Sequence, residues 1–397
     1  MWTGRHVVLG VSGGIASYKS CILARRLALA GARVDVMLTQ GAAEFIRPLT
    51  FEALTGRPVL TSLWEPEAAL SHVRLAQASD LIIVAPATAH LIARVALGLG
   101  DDLLTTLLLA RTVPTLVAPA MNDEMWANPA TQQNVALLRS RGFALVGPES
   151  GALAEGPSER PGRMSEPEVI LAHGERLLCR GGRLDGRRVV ITAGPTREPI
   201  DPVRMVTNRS SGRMGYRLAE AAWVRGAEVV LISGPCELPV PPGVELRRIE
   251  TTAELEAAVR AALPSADVLI MAAAPADFRP RNPKSSKHAR IEGALAIPME
   301  PTTDILASTV GLRRPGGVTV GFALETGDAL ARARAKLERK DLDLIVVNDA
   351  LEPGAGFETD TNRVTVLDRE GGSRVLPLQS KREVAEAILD AVESRLG

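Results

Sequence analysis

The chain has 397 residues, 46% hydrophobic and 23% charged, with 46 basic residues against 46 acidic ones. That composition excludes a disordered chain, gives no bulk attraction for a nucleic acid or another polyanion, and is long enough for two or three domains. Aromatics are scarce at 3%, which argues against a base-stacking or carbohydrate-binding surface.

In chain order, Arg5–Val11 reads as a strand, Ile15 to about Ala30 as a helix stopped at Gly31, and Arg33–Leu38 as the next strand. Asp80–Pro86 and Pro114–Ala118 read as buried parallel strands. The pattern then recurs: strand Arg187–Ala193, turn Gly194-Pro195-Thr196, helix Gly212–Arg225, strand Glu228–Ser233 and buried strand Asp267–Ala272. The runs at 30–36 and 225–231 are both a helix stop followed by a strand. Two doubly wound α/β domains with parallel, Rossmann-like sheets are the simplest account. The polar, Gly-rich run 173–186 separates them, so we expect one domain over 1–175, a linker over 176–186 and a second domain over 187–397. Arg363–Leu367 and Ser373–Leu376 predict a hairpin, and Lys381–Leu396 a closing amphipathic helix.

Cys21, Cys179 and Cys236 are far apart and form neither a disulfide framework nor a zinc pattern, so a reduced, cytoplasmic setting is expected. The opening residues do not read as a signal peptide. The most apolar stretch, Asp80–Gly100, is broken by His90 and Arg94, so no membrane span is expected. Six of the basic residues are Lys and the rest Arg, which makes the positions of the lysines informative.

Ser12-Gly13-Gly14 sits at the first strand-to-helix turn. It reads either as a plain tight turn or as an anion cradle, because glycines let backbone N–H groups approach an anion and a helix N-terminus favours negative charge. The spacing is not GxGxxG, so a mononucleotide such as FMN fits better than a dinucleotide. His72 precedes a strand and, alone, reads more readily as structural than as a base. Asn122, in Pro119-Ala-Met-Asn-Asp-Glu-Met-Trp126, reads alone as a helix cap or a turn residue.

Taken together, these residues carry a resemblance. Pro119–Trp126 has the PxMNxxMW pattern and resembles the flavin-dependent cysteine decarboxylases. Val11–Ala16 resembles their phosphate-binding opening, Pro86–Ala89 their second flavin loop, and His72 falls where their active-site His falls. The resemblance implies a flavodoxin-like first domain that binds FMN through Ser12, Gly13, Gly14, Thr39, Thr88 and Met121. It implies His72 as the base and Asn122 as the holder of the substrate carboxylate. The chemistry implied is oxidation of the cysteinyl thiol side to a thioaldehyde, loss of CO2, and return of two electrons to the enethiol. One departure stands out. The family carries a proton-donating Cys in a flap, in Ala-Cys-Gly before Gly-Arg-Met. This chain has Ala154-Glu155-Gly156, then Gly162-Arg163-Met164 after a loop one residue longer. Three readings stay open: Glu155 replaces Cys as the acid, the reductive step is slow, or the domain binds FMN and does little else.

Gly194–Arg204 is dense in turn formers and leads into Thr207–Gly215. Ser210-Ser211-Gly212 alone reads as a capped helix start or as a phosphate cradle, and no GxxxxGK[ST] P-loop is present. The whole string resembles the phosphopantothenate–cysteine ligase signature GPTREPxDPVRxxxNxSSGxMG. In order and extent the chain therefore resembles the bifunctional coenzyme A biosynthesis family, in which phosphopantothenoylcysteine decarboxylase is fused to that ligase.

The resemblance implies that CTP, with Mg2+, activates 4'-phosphopantothenate as an acyl-cytidylate for attack by cysteine. Arg204 and Asn208 would bind the acyl-cytidylate, and Ala272, Ala273 and Asp277 would meet the cytidine side. Lys287 would stabilise the transferring phosphate. Thr302, Thr303, Asp304 and Ile305 match the nucleotide loop, Phe322 the aromatic near the base, and Lys336 and Lys340 two further CTP lysines. Lys284 joins these as one of the few lysines kept. Pro275 and Ala289 depart from the usual Val and Lys. Asn348-Asp349-Ala350, Pro353–Gly356 and Phe357 read equally as a mobile loop or a plain surface loop. The resemblance assigns no metal ligands. It implies a homo-oligomer, with trimers of the flavin domain joined by dimers of the ligase domain, and no nucleic-acid or membrane partner. Three rivals are weighed: an active ligase whose flavin-binding scaffold decarboxylates poorly, a flavoprotein acting on a peptide's C-terminal cysteine, and a non-enzymatic regulatory subunit. The ligase half argues against the second, and intact Asn208 and Lys287 against the third.

Overall fold

Each half of the chain builds its own parallel sheet, in units Met1–Cys179 and Arg180–Gly397. The computed structural model describes residues 1–64, 70–287, 296–325, 329–349 and 359–397. Ala289, Ala350, Pro353–Gly356 and Phe357, singled out above, lie outside the described residues.

The first sheet has β1 (His6–Val11), β2 (Arg33–Leu38), β3 (Leu81–Ala87), β4 (Thr115–Pro119) and β5 (Ala144–Leu145), in the order β2-β1-β3-β4-β5, parallel throughout. This is the flavodoxin-like winding, with its switch point between β1 and β3. Every residue of β1 and β3 is buried, as expected where helices cover both faces. Alternation divides the core. Val7, Leu9, Leu81 and Ile83 join one cluster, while Val8, Ile82 and Val84 join the other. The first helix starts at Ser17, two residues later than expected, because Ser17 N–H closes a turn on Gly14 O at 3.0 Å. The helix Pro167–Leu178 extends into the segment expected as a linker. Its face carries Ile170 and Leu177 into the first core, which is why it stays helical there.

The second unit has β6 (Arg188–Ala193), β7 (Arg197–Pro199), β8 (Met205–Thr207), β9 (Glu228–Ser233), β10 (Glu245–Arg248), β11 (Val268–Met271), β12 (Phe278–Pro280), β13 (Met299–Pro301), β14 (Val318–Glu325), β15 (Leu344–Asp349), β16 (Thr361–Asn362), β17 (Thr365–Asp368) and β18 (Ser373–Val375). Its main sheet runs β10-β9-β6-β11-β14-β15-β17-β18. The first six strands are parallel in the Rossmann order, and the hairpin β17–β18 adds antiparallel to β15. Two short antiparallel ribbons, β7–β8 and β12–β13, stand apart from it.

The two halves share a device at the opposite end from the loops that matter. Asp80 and Asp267 each open a buried strand, and their Oδ2 atoms accept the N–H of His6 and of Arg188, both at 2.8 Å. Each thereby satisfies a donor at the start of the central strand. Among the described residues no helix is long and apolar enough to cross a membrane.

Candidate functional site

In doubly wound sheets, ligands bind beyond the carboxyl ends of the strands at the switch point. In the first unit the loops after β1, β2, β3 and β4 and the flap after β5 enclose a cavity of about 1120 Å³. Ser12, Gly13, Gly14, Thr39, Thr88 and Met121 all line it, together with Asn122 and Glu155.

The hydroxyls expected as flavin contacts also build the walls. Ser12 is buried; its Oγ donates to Pro86 O at 2.8 Å and accepts from Thr88 N–H at 3.0 Å. Thr88 caps the helix Ala89–Leu97 by accepting from Leu91 N–H, and Thr39 accepts from Ala42 N–H. These caps turn helix N-termini toward the cavity, where a phosphate is favoured. Gly13 is needed for close approach: a Cβ there would lie 2.6 Å from the Gly41 carbonyl carbon.

Asn122 is both things the sequence left open. Its Oδ1 accepts from Glu124 N–H at 2.9 Å and caps the turn Asp123–Ala127. With the oxygen so engaged, the two N–H donors of the amide are what Asn122 can offer a ligand in the cavity it lines. The flap is a hairpin-like strap. Glu149 and Arg163 bridge at its base, and Leu153 and Gly156 bridge around the tip Ala154–Glu155. Gly162 O accepts from Met121 N–H at 3.0 Å. Ser158 Oγ donates to Asp123 Oδ2 at 2.6 Å, which is the main reason the Asp123 carboxyl sits below its ordinary range. Arg160 pairs with Glu124. Lys19, buried, donates from Nζ to Met164 O at 2.8 Å and pairs with Glu166 at 3.1 Å.

His72 does not join this group. It lies in the first turn of the helix Ser71–Ala78, not in an extended approach to β3, and it is not among the residues lining the cavity. Its Nδ1 is buried without a hydrogen-bond partner. The sequence places His72 at the reaction, whereas it lines no part of the cavity of its own chain.

In the second unit the switch point lies between β6 and β11. Gly194–Thr196 leaves β6 and Ala272–Asp277 leaves β11, and the two loops are stitched together. Ala274 N–H donates to Gly194 O at 2.9 Å, and Ala273 N–H to Thr192 Oγ1 at 3.1 Å. Asn208 Nδ2 donates to Pro275 O at 2.9 Å. Thr302 Oγ1 donates to Ala276 O at 2.6 Å, and its N–H to Asp277 O at 2.9 Å. The helix Arg213–Val224 begins here, from Gly212 at φ 73°. Lys340 Nζ pairs with Asp304 Oδ1 at 3.0 Å, so two expected nucleotide contacts meet. Thr303 bonds Glu256.

Other expected contacts are placed less directly. Ile305 is buried in the core, so only its backbone can serve a ligand. Phe322 is half-buried in β14, and Ala272 is half-buried just past β11. Lys336 is half-buried on the helix Ala329–Arg339, one turn before Lys340. Lys284 and Lys287 are exposed, and Arg204 is exposed but pairs with buried Asp201 at 3.3 Å. Among the described residues no three His, Cys, Asp or Glu side chains group as a metal site. Sequence reasoning missed Lys19, Ser158, Thr196 and Glu198. Lys19 had a signal, as one of the six lysines.

The Flavoprotein family matches residues 1–176, and the family described as DNA/pantothenate metabolism flavoprotein C-terminal domain matches residues 184–396. The coenzyme A biosynthesis bifunctional protein CoaBC of Vibrio cholerae is 46% identical over 397 residues, covering 99% of each chain. The Bacillus subtilis protein of the same description is 44% identical, covering 99% of this chain and 97% of its own. A crystal structure of the C-terminal domain of a coenzyme A biosynthesis bifunctional protein is 39% identical, with a TM-score of 0.47, covering 54% of this chain and 98% of that one.

Proposed function

The chain belongs to the family of bifunctional coenzyme A biosynthesis enzymes, a flavoprotein decarboxylase domain followed by a ligase domain, and on that premise we propose what each site does. The second unit joins 4'-phosphopantothenate to cysteine at the expense of CTP, releasing CMP and pyrophosphate. The first unit decarboxylates the product to 4'-phosphopantetheine with FMN.

A carboxylate is inert to an amine at neutral pH, so it is first made an acyl-cytidylate. Negative charge grows on the transferring phosphate, and fixed positive ends stabilise it. The N-terminus of the helix Arg213–Val224 is one such end, and Arg204 and Lys287 are cations for the same step. Mg2+ enters with the CTP phosphates. Ala272, Ala273 and Asp277 meet the cytidine side, with Phe322 near the base. Thr302, Thr303, Asp304 and the Ile305 backbone hold the nucleotide, with Lys336 and Lys340 on the phosphates. Asn208 spans the loop and orients the acyl group for the amine of cysteine.

The cavity of about 1120 Å³ fits FMN in size, with capped helix ends and hydroxyls at the phosphate position. FMN, when bound, accepts two electrons from the thiol side of the substrate and later returns them. Asn122 donates to the substrate carboxylate and fixes it for loss as CO2. Glu155, at the flap tip, supplies the proton that completes the product. His72 acts as base from a neighbouring copy, since it does not line the cavity of its own chain. Ile15, Tyr18 and Ile22 support such an assembly: they are 64%, 53% and 41% exposed, and Ile15 and Tyr18 also line the cavity, so a copy seated on them would border the site. Trimers of the flavin unit joined by dimers of the ligase unit are the arrangement we propose, in the cytoplasm, where Cys21, Cys179 and Cys236 stay free thiols.

The observation that carries the decarboxylase reading is the single cavity that collects all six expected flavin contacts with Asn122 and Glu155. The test is incubation of the purified chain with FMN, Mg2+, CTP, 4'-phosphopantothenate and cysteine, with products followed by mass. 4'-Phosphopantetheine, CMP and CO2 are expected. Accumulated phosphopantothenoylcysteine, or its oxidised form, overturns the role of Glu155. Absence of CMP overturns the ligase reading.

A further inference from the structure

Two carboxylates in the turn-rich string after β6 are buried, Glu198 and Asp201, each 3% exposed. Asp201 closes its own turn, accepting from the N–H groups of Val203 and Arg204 at 2.8 and 2.9 Å. Glu198 reaches further. Its Oε1 accepts twice from Thr252, from the N–H at 2.8 Å and from the hydroxyl at 2.8 Å. Thr252 opens the helix Thr252–Ala262, so the carboxylate lies at a helix N-terminus, where its charge is favoured.

A carboxylate only accepts. The Thr252 proton is therefore committed to Glu198, and Thr252 Oγ1 accepts from Thr196 Oγ1 at 2.9 Å. With its proton committed in turn, Thr196 Oγ1 accepts the N–H of Ala276 at 2.9 Å. Every donor in this chain points the same way, from Ala276 through Thr196 and Thr252 to Glu198. Such one-way chains reinforce each bond in them. Thr196, Thr252 and Ala276 are 0%, 2% and 3% exposed, so water does not compete.

Ala276 is the centre of the loop that follows β11. Its carbonyl takes Thr302, its neighbour Asp277 takes Thr302 N–H, and Pro275 takes Asn208. Turning the Ala276 peptide would move three expected nucleotide contacts at once. We propose that Glu198 is a positioning residue for the ligation reaction, holding the loop 274–277 in register for the nucleotide through Thr252 and Thr196. The inference rests on the reading that this loop meets CTP.

The test is steady-state kinetics of ligation by the full chain with CTP, 4'-phosphopantothenate and cysteine. Glu198→Ala raises KM for CTP by about tenfold, the size expected for losing a hydrogen bond to a charged group, while KM for cysteine stays level. Glu198→Gln keeps an oxygen acceptor for Thr252 and restores KM for CTP. Thr196→Val deletes the middle hydroxyl at nearly constant volume and reproduces the CTP shift with the carboxylate intact. It also decides the matter if Glu198→Ala fails to fold. An unchanged KM for CTP in Thr196→Val, or equal rises in all three KM values, overturns the proposal. If the unaltered chain forms no CMP, the CTP reading fails and takes this inference with it.

Discussion

Ser158 Oγ lies 2.6 Å from Asp123 Oδ2, and this bond joins the flap that carries Glu155 to the turn that Asn122 caps. Arg160 and Glu124 form a second clasp beside it. Both clasps use residues of the segment between the flap tip and Gly162. Ser158→Ala combined with Arg160→Ala is expected to slow decarboxylation severalfold and to leave ligation unchanged. Conversion of supplied phosphopantothenoylcysteine, measured beside CMP release, separates the two. Equal rates would show that the backbone bonds at the base of the flap and the Lys19 clamp position it without these two clasps.

Lys19 clamps the far end of the same flap through Met164 O and Glu166. Lys19→Met keeps the buried stem and removes the ammonium. The expected cost is about 2 kcal/mol, because a buried carbonyl loses a charged donor. Thermal unfolding and flavin retained through gel filtration report it. A variant that keeps both Tm and flavin would show the clamp to be idle.

The first unit should lose stability in acid through Asp35. Burial pushes its carboxyl up, but hydrogen bonds from His6 and Arg57, both at 2.6 Å, outweigh that and leave it below the ordinary value. A carboxyl with a lowered folded pKa stabilises above its unfolded pKa, about 3.9, and the contribution fades as pH falls through the folded value. Asp35→Asn is therefore expected to lower Tm near neutral pH, with the gap to the unaltered chain closing below about pH 4. A gap that stays constant through that range would exclude the charge as its source.

Gly215 lets the helix Arg213–Val224 lie directly on β6. A Cβ there would sit 2.5 Å from Ala193 Cβ and 2.9 Å from Thr192 O. Gly215→Ala is expected to cost about 1–3 kcal/mol by overpacking and to raise KM for CTP by shifting the helix start. Gly311→Ala, where a Cβ meets nothing within 4 Å, is the control. Chemical denaturation of both variants gives the comparison.

The central strands were legible because they are unbroken apolar runs between turn formers, such as Leu81–Ala87 and Val268–Met271. The ribbons β7–β8 and β12–β13 were not, because they are short, largely exposed, and paired across turn-rich or polar sequence. Motif strings picked out residues that line one cavity, since loops after successive strands converge wherever a sheet is wound. They did not show that His72 stays outside the cavity of its own chain, because position along the chain does not say which way a helix presents a side chain. Scarcity of Lys was a sound signal applied to too few residues. Attention went to Lys284, Lys287, Lys336 and Lys340, whereas the two buried lysines are Lys19 and Lys381. Glu198 was hidden by composition: one Glu among prolines and arginines looks solvated, and only the fold shows Thr252 beside it.

The Glu149–Arg163 bridge has a consequence for descent. The strap is closed at its base by its own backbone bonds and contributes no strand to the five-stranded sheet. Residues can be inserted or exchanged between those two anchors while the groove floor, set by Ser12, Gly13 and Thr88, stays as it was. In such a design the side chain at the tip and the architecture of the groove are inherited separately. A change confined to the tip Ala154–Glu155 then leaves Ser12, Gly13 and Thr88 as they were, while the clasps of Ser158 and Arg160 still hold the strap to the Asn122 turn.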